Sequence, residues 1–246
     1  MRLMACVWQP MCGNQYRPPQ RLVLTMACNA TSPRHAMFQD RLDAARQLAQ
    51  ALEKYRGQNP LVLAIPRGAV PMGACIAQAL RGQLDVVLVR KLRAPFQPEV
   101  AIGAVDETGL AYLSPCAAML DLDPQYVKDE IKRQINTLKT RRKQYSQIRA
   151  PIPAKGRVVI VVDDGLATGS TMMSALKALR QQQPQRLVCA LPVASPDALQ
   201  KIQPLADETV CLWAPDDFMA VAQFYRHFPQ VDDAQVLAAL QTKFTP

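Results

Sequence analysis

A chain of 246 residues, 49% hydrophobic and 20% charged, can bury a sizeable core and fits one large domain with a small appendage. No apolar run approaches the roughly 18 residues a spanning helix needs, so a soluble chain with no membrane partner is expected. Seven cysteines, an odd number with no C-x-x-C pair, argue against a disulfide framework and point to a reduced, cytoplasmic setting.

Residues 1–36 contain Cys6, Trp8, Pro10, Pro18, Pro19 and Pro33 without helical or strand periodicity, which predicts a disordered tail. RLVLTMACNA lacks the layout of a signal peptide, and Met26 and Met37 would each serve as a true start. A patterned core is expected over 37–213. Its first helix opens at Phe38 and carries Leu42, Ala45, Leu48, Ala49 and Leu52 at helical spacing. LVLAI (61–65) reads as a buried strand, PMGACIAQAL (71–80) as a helix with Pro71 in its first turn, and DVVLV (85–89) as a second buried strand. AIGAV (101–105), DETG and LAYL (110–113) predict a hairpin, followed by a long helix over 123–148. VVIVV (158–162), RLVCALPV (186–193) and ETVCLW (208–213) continue as strands, with helices from near Gly169 and over 197–203. Alternation of this kind predicts an α/β fold, a doubly wound and mainly parallel sheet with helices on both faces, and ligands at the carboxyl ends of the strands.

The stretch VVIVVDDGLATGSTM holds the chemistry. A loop running from a strand end into a helix amino terminus offers backbone N–H groups and the positive end of the helix dipole, both suited to a phosphate. Gly165 and Gly169 allow close backbone approach, and Thr168, Ser170 and Thr171 add hydroxyls. Asp163 and Asp164 would repel that phosphate, so they must meet another part of the ligand. Carboxylates accept hydrogen bonds, and the vicinal hydroxyls of a ribose donate them. A ribose 5-phosphate satisfies both halves, held by Asp163, Asp164 and the loop Gly165, Leu166, Ala167, Thr168, Gly169, Ser170 and Thr171. Capping and turn formation alone would explain the two acids but leave the hydroxyl loop without a purpose.

This motif resembles the phosphoribosyl pyrophosphate motif of type I phosphoribosyltransferases, and LAIPRGAVPMG (63–73) resembles that family's pyrophosphate loop. The likeness runs from about Phe38 to Trp213 and extends to a bacterial group whose acceptor it does not define. It implies transfer of the phosphoribosyl group of phosphoribosyl pyrophosphate to a nitrogenous base, with Mg²⁺ bridging substrate oxygens. Arg67 and Gly68 would meet the pyrophosphate, with Arg90, Lys91 and Arg93 at the next strand end, although that cluster also suits a solvated charge run. The family's mobile loop corresponds to 91–113, whose first part carries one carboxylate, Glu99. Arg67, Lys91 and Glu99 are the expected catalytic residues, Glu99 orienting or deprotonating the incoming nitrogen. Relatives acting on 6-oxopurines usually carry an acid where this chain has Ala167.

A hood is expected over 214–246, where Phe218, Phe224, Tyr225 and Phe228 cluster. Phe218 is a candidate for stacking on the base; Phe224 and Phe228, four apart, suit packing. Between Lys128 and Arg157 ten basic residues face two acids. That imbalance supports a rival expectation, a regulator sensing phosphoribosyl pyrophosphate and binding nucleic acid through 128–149. A homodimer is compatible with the sequence and not demanded by it.

Overall fold

The structure is a computed structural model and describes residues 22–25, 38–97, 100–114, 117, 119–148 and 150–242. Six strands form one parallel sheet: β1 (Leu22–Thr25), β2 (Leu61–Ala64), β3 (Gln83–Val86), β7 (Val158–Val162), β8 (Arg186–Val193) and β9 (Glu208–Trp213), in spatial order β1-β9-β8-β7-β2-β3. A second, antiparallel sheet comprises β4 (Val89–Arg93), β5 (Ala101–Asp106) and β6 (Ala111–Leu113). The helices are α1 (Arg41–Ala51), α2 (Val70–Leu80), α3 (Pro124–Ser146), α4 (Ser170–Gln181), α5 (Pro196–Ile202) and α6 (Asp233–Gln241).

The period of two along the strands divides the core. Val62, Ala64, Ile160, Val162, Val188 and Val210 pack with α1 and α2 on one face. Leu61, Leu63, Val159, Val161, Cys189 and Cys211 pack with α4 and α5 on the other. The two cysteines act as small core residues, and burial pushes the Cys211 thiol up to about 12. From β2 the chain crosses to β3 on one side, and from β7 it winds through β8 and β9 on the other. The order of strand addition therefore reverses between the parallel strands β2 and β7, where the loops leaving adjacent strand ends diverge and open a crevice.

Three expectations change. DVVLV is not one strand: β3 ends at Val86, and Arg90, Lys91 and Arg93 lie on β4, paired with β5. Val87 joins one apolar face and Leu88 the other, so a continuous apolar run conceals the break. The first helix starts at Arg41, because Asp40 accepts from Asp43 N and caps it, and Leu42 is exposed. Within the expected tail, residues 22–25 form an edge strand parallel to β9, and the rest of 1–36 lies outside the described residues.

The C-terminal segment shares the main core. Phe224, Tyr225, Val236 and Leu240 are buried in the same apolar cluster as α1 and α2. Phe38 N donates to Phe224 O at 3.0 Å, and Arg226 N to Phe38 O at 2.9 Å, so residues preceding α1 are zipped to the hood. No helix among the described residues is long and apolar enough to cross a membrane.

Candidate active site

Asp163 and Asp164 follow directly on β7 beside the loop that leaves β2. The Gly68 α-carbon lies so close to Asp164 that a Cβ there would collide with Oδ2. The Pro66–Arg67 peptide bond is cis, and Arg67 Nη1 stands 3.7 Å from Asp233 Oδ1 at the start of α6. The expected sugar and pyrophosphate segments are thus brought together at the switch point.

The loop expected to hold the phosphate, 165–171, is braced on its carbonyl side. Leu166 N donates to Val193 O at 3.0 Å, Ser195 N to Leu166 O at 2.9 Å, and Ser195 Oγ to Ala167 O at 2.8 Å. Gly169 O accepts from Met173 N at 2.8 Å and Ser170 O from Ser174 Oγ at 2.7 Å. Gly169 has φ of 76°, a left-handed conformation that glycine adopts without strain. No side chain caps α4, so its first N–H groups point out of the helix beside the Thr168 and Ser170 hydroxyls, which lie 3.0 Å apart. Leu166 is buried and acts as the loop's anchor, while Ala167 and Thr168 are exposed.

Burial, and next the charge of Asp164, push the Asp163 carboxyl well above its ordinary range, while a hydrogen bond from Asp164 N at 2.9 Å opposes them. Burial also raises Asp164, with the guanidinium of Arg41 pulling the other way. Arg41 Nε donates to Asp164 Oδ2 at 2.9 Å, and the Tyr225 hydroxyl donates to Asp164 O at 2.6 Å. Sequence reasoning missed Arg41. The one local signal is the capping Asp40, which fixes where the helix starts but says nothing about what Arg41 meets.

The remaining candidates are dispersed. Arg90 Nε donates to Gln134 Oε1 on α3 at 2.6 Å, and Lys91 is exposed on β4. Burial, then Arg141 and Arg93, lower the Arg90 pKa, which marks a concentration of positive charge between β4 and α3. Neither residue bonds to the 65–69 or 163–171 loop among the described residues. Glu99 lies outside the described residues. Phe218 leans on Phe224 with ring centroids 5.2 Å apart, and Phe228 lies between Tyr225 at 4.7 Å and the Arg41 guanidinium at 3.6 Å. Hood rings therefore pack largely on one another.

Residues 36–228 match the model of the phosphoribosyl transferase domain. The chain belongs to the phosphoribosyl transferase family. Two provisionally named phosphoribosyl transferases from Mycobacterium tuberculosis strains are each 40% identical over 205 residues, covering 83% of this chain and 46% of their own length. The chain thus spans less than half of the curated relatives it matches. A crystal structure of TT1426 from Thermus thermophilus is 44% identical, with a TM-score of 0.76, covering 83% of this chain and 97% of that one. The family's parallel sheet, flanked by helices, is the architecture found here.

Proposed function

We propose that this family member binds phosphoribosyl pyrophosphate and transfers its phosphoribosyl group to a nitrogen of a base, releasing pyrophosphate. The observation carrying this reading is the juxtaposition, at the switch point, of two carboxylates with a loop whose carbonyls are largely engaged and whose helix N–H groups are not. Carboxylates suit sugar hydroxyls, and the N–H groups and hydroxyls suit the 5-phosphate.

In this reaction the C1′–oxygen bond breaks, its electron pair leaves with pyrophosphate, and the base nitrogen forms the new bond to C1′. Positioning and neutralisation of the leaving group provide most of the acceleration. Arg67 and Gly68 hold the pyrophosphate end; Arg90 and Lys91, on β4 of the second sheet, add positive charge to the protein's field rather than direct contacts. Glu99 takes or orients the proton of the incoming nitrogen. Phe218 and its neighbours close the base side.

Among the described residues no group of three or more His, Cys, Asp or Glu side chains could hold a metal. Mg²⁺ bound together with the substrate would need at most a carboxylate such as Asp163 or Asp164 from this chain. When bound, it offsets negative charge on the leaving group. A cytoplasmic setting suits such a sugar-phosphate substrate.

The test is to incubate the protein with phosphoribosyl pyrophosphate, Mg²⁺ and a panel of purines, pyrimidines and other nitrogen heterocycles, following pyrophosphate release. Release with one base and not the others supports the reading. Failure of phosphoribosyl pyrophosphate with Mg²⁺ to raise the melting temperature overturns it, because a ligand at 100 times its Kd stabilises by about 2.7 kcal/mol.

A further inference from the structure

Arg41 occupies a point where three segments of chain converge. Backbone pairing of 38–39 with 224–227, followed by the Asp40 cap, delivers the first residue of α1 to the end of β7. There Nε donates to Asp164 Oδ2 at 2.9 Å, Nη1 donates to Pro229 O at 2.6 Å, and the guanidinium carbon lies 3.6 Å from the centre of the Phe228 ring. The Arg41 side chain is 11% exposed and that of Asp164 18%. A long, flexible side chain fixed at three places has spent its rotamer freedom on one geometry.

Resting on the phosphoribosyl reading above, we propose that Arg41 is the positioning residue of the sugar site: it fixes the Asp164 carboxylate for a ribose hydroxyl and ties that carboxylate to the hood. Oδ2 is held by Arg41 on the side of Gly68, so an incoming hydroxyl takes Oδ1. Two adjacent carboxylates in a half-buried strand end tend to share a proton, and a protonated carboxyl is a poorer acceptor for a diol. The guanidinium opposes the effect of burial on Asp164, favouring its charged form, and orients it. Asp164 O also accepts from Tyr225, which stacks on Phe228, so main chain and side chain of Asp164 are joined to the same stretch of hood. A sugar seated on Asp164 therefore bears on residues 225–229 through Arg41.

The consequence is selective. Arg41 hydrogen-bonds to the sugar half of the site and to the hood, and it abuts Gly68 of the pyrophosphate loop without bonding to it, whereas a purely structural ion pair would weaken both halves or neither. The experiment compares wild type, Arg41→Gln and Arg41→Lys, all with Mg²⁺, by calorimetric titration with ribose 5-phosphate and, separately, with inorganic pyrophosphate. Arg41→Gln is expected to bind ribose 5-phosphate at least tenfold more weakly and pyrophosphate within twofold of wild type, with Arg41→Lys recovering part of the loss. Should Arg41→Gln fail to fold, Phe228→Leu removes the ring beneath the guanidinium while keeping the charge, and a threefold loss confined to ribose 5-phosphate is expected. Equal affinity of variant and wild type for ribose 5-phosphate overturns the role of Arg41 alone, as does a parallel loss for both ligands. A wild-type protein that binds neither ribose 5-phosphate nor phosphoribosyl pyrophosphate overturns the functional reading and the role with it.

Discussion

Val221 of the hood rests directly on Gly165 of the phosphate loop, so closely that a Cβ on Gly165 would overlap both γ-methyl groups of Val221. Gly165→Ala should therefore cost about 1–3 kcal/mol, the usual range for forcing an extra carbon into a packed site. Val221→Ala removes the obstructing methyls, and the double variant should regain most of the loss. Urea denaturation of the four proteins measures the coupling; strictly additive effects would mean that the two residues do not press on each other in solution.

Asp163 links stability to pH. Its raised pKa means that the folded protein still holds a proton where the unfolded chain has released it. The resulting stabilisation is complete below the ordinary value of 3.8 and is lost as pH rises through the folded value. Asp163→Asn escapes this loss, so its melting temperature should exceed that of ligand-free wild type by a margin that grows from pH 5 to pH 8. Ribose 5-phosphate should bind the variant more weakly. Parallel melting curves across that pH range would show that Asp163 carries no such strain.

Arg142 separates itself from its basic neighbours on α3. Its guanidinium bonds Asp85 Oδ1 at 2.9 Å and Val86 O at 2.9 Å, and it pairs with Glu107 in the turn between β5 and β6. The side chains of Arg142 and Asp85 are only 11% and 5% exposed, so Arg142→Ala should destabilise by about 3–5 kcal/mol, mostly from the stranded Asp85. Arg141→Ala, at an exposed neighbouring position, should stay within about 0.5 kcal/mol. Thermal denaturation of the two variants distinguishes a structural arginine from the free charges that a nucleic-acid surface would use.

Gly169→Ala tests the loop itself. A side chain in the left-handed region costs about 1–2 kcal/mol, and relaxing that strain would turn the first N–H groups of α4 away from the phosphate position. Ribose 5-phosphate affinity should therefore fall along with stability. Unaltered affinity in a destabilised variant would indicate that those groups do not meet the ligand.

Most of what the sequence makes legible is periodic or local. The five apolar residues before Asp163, the glycines of the following loop and the alternation of strands and helices predict the sheet and the position of the motif. β3 and β4 escape because residues 86–89 stay apolar while the chain passes from one sheet to the other. Arg41 escapes for another reason: its partners Asp164 and Pro229 lie 123 and 188 residues away, so no window of sequence contains the interaction. The hood aromatics are visible as a cluster, but which faces they spend on one another depends on Phe38 and Arg41, far upstream.

The bracing of the phosphate loop has a further effect on what can enter. Carbonyls that could have welcomed a cation or an alcohol are already engaged at 164, 166, 167, 169 and 170. On the proposed reading, the loop is left with helix N–H groups and the Thr168 and Ser170 hydroxyls to offer, and would select by elimination. A guest bringing only donors would find little to bind in the loop itself, and one bringing several acceptor oxygens would suit it. On that reading, the same pentose without its phosphate would reach Asp163 and Asp164 but leave those donors facing solvent, which would make the phosphate the entry requirement and the sugar hydroxyls the second check.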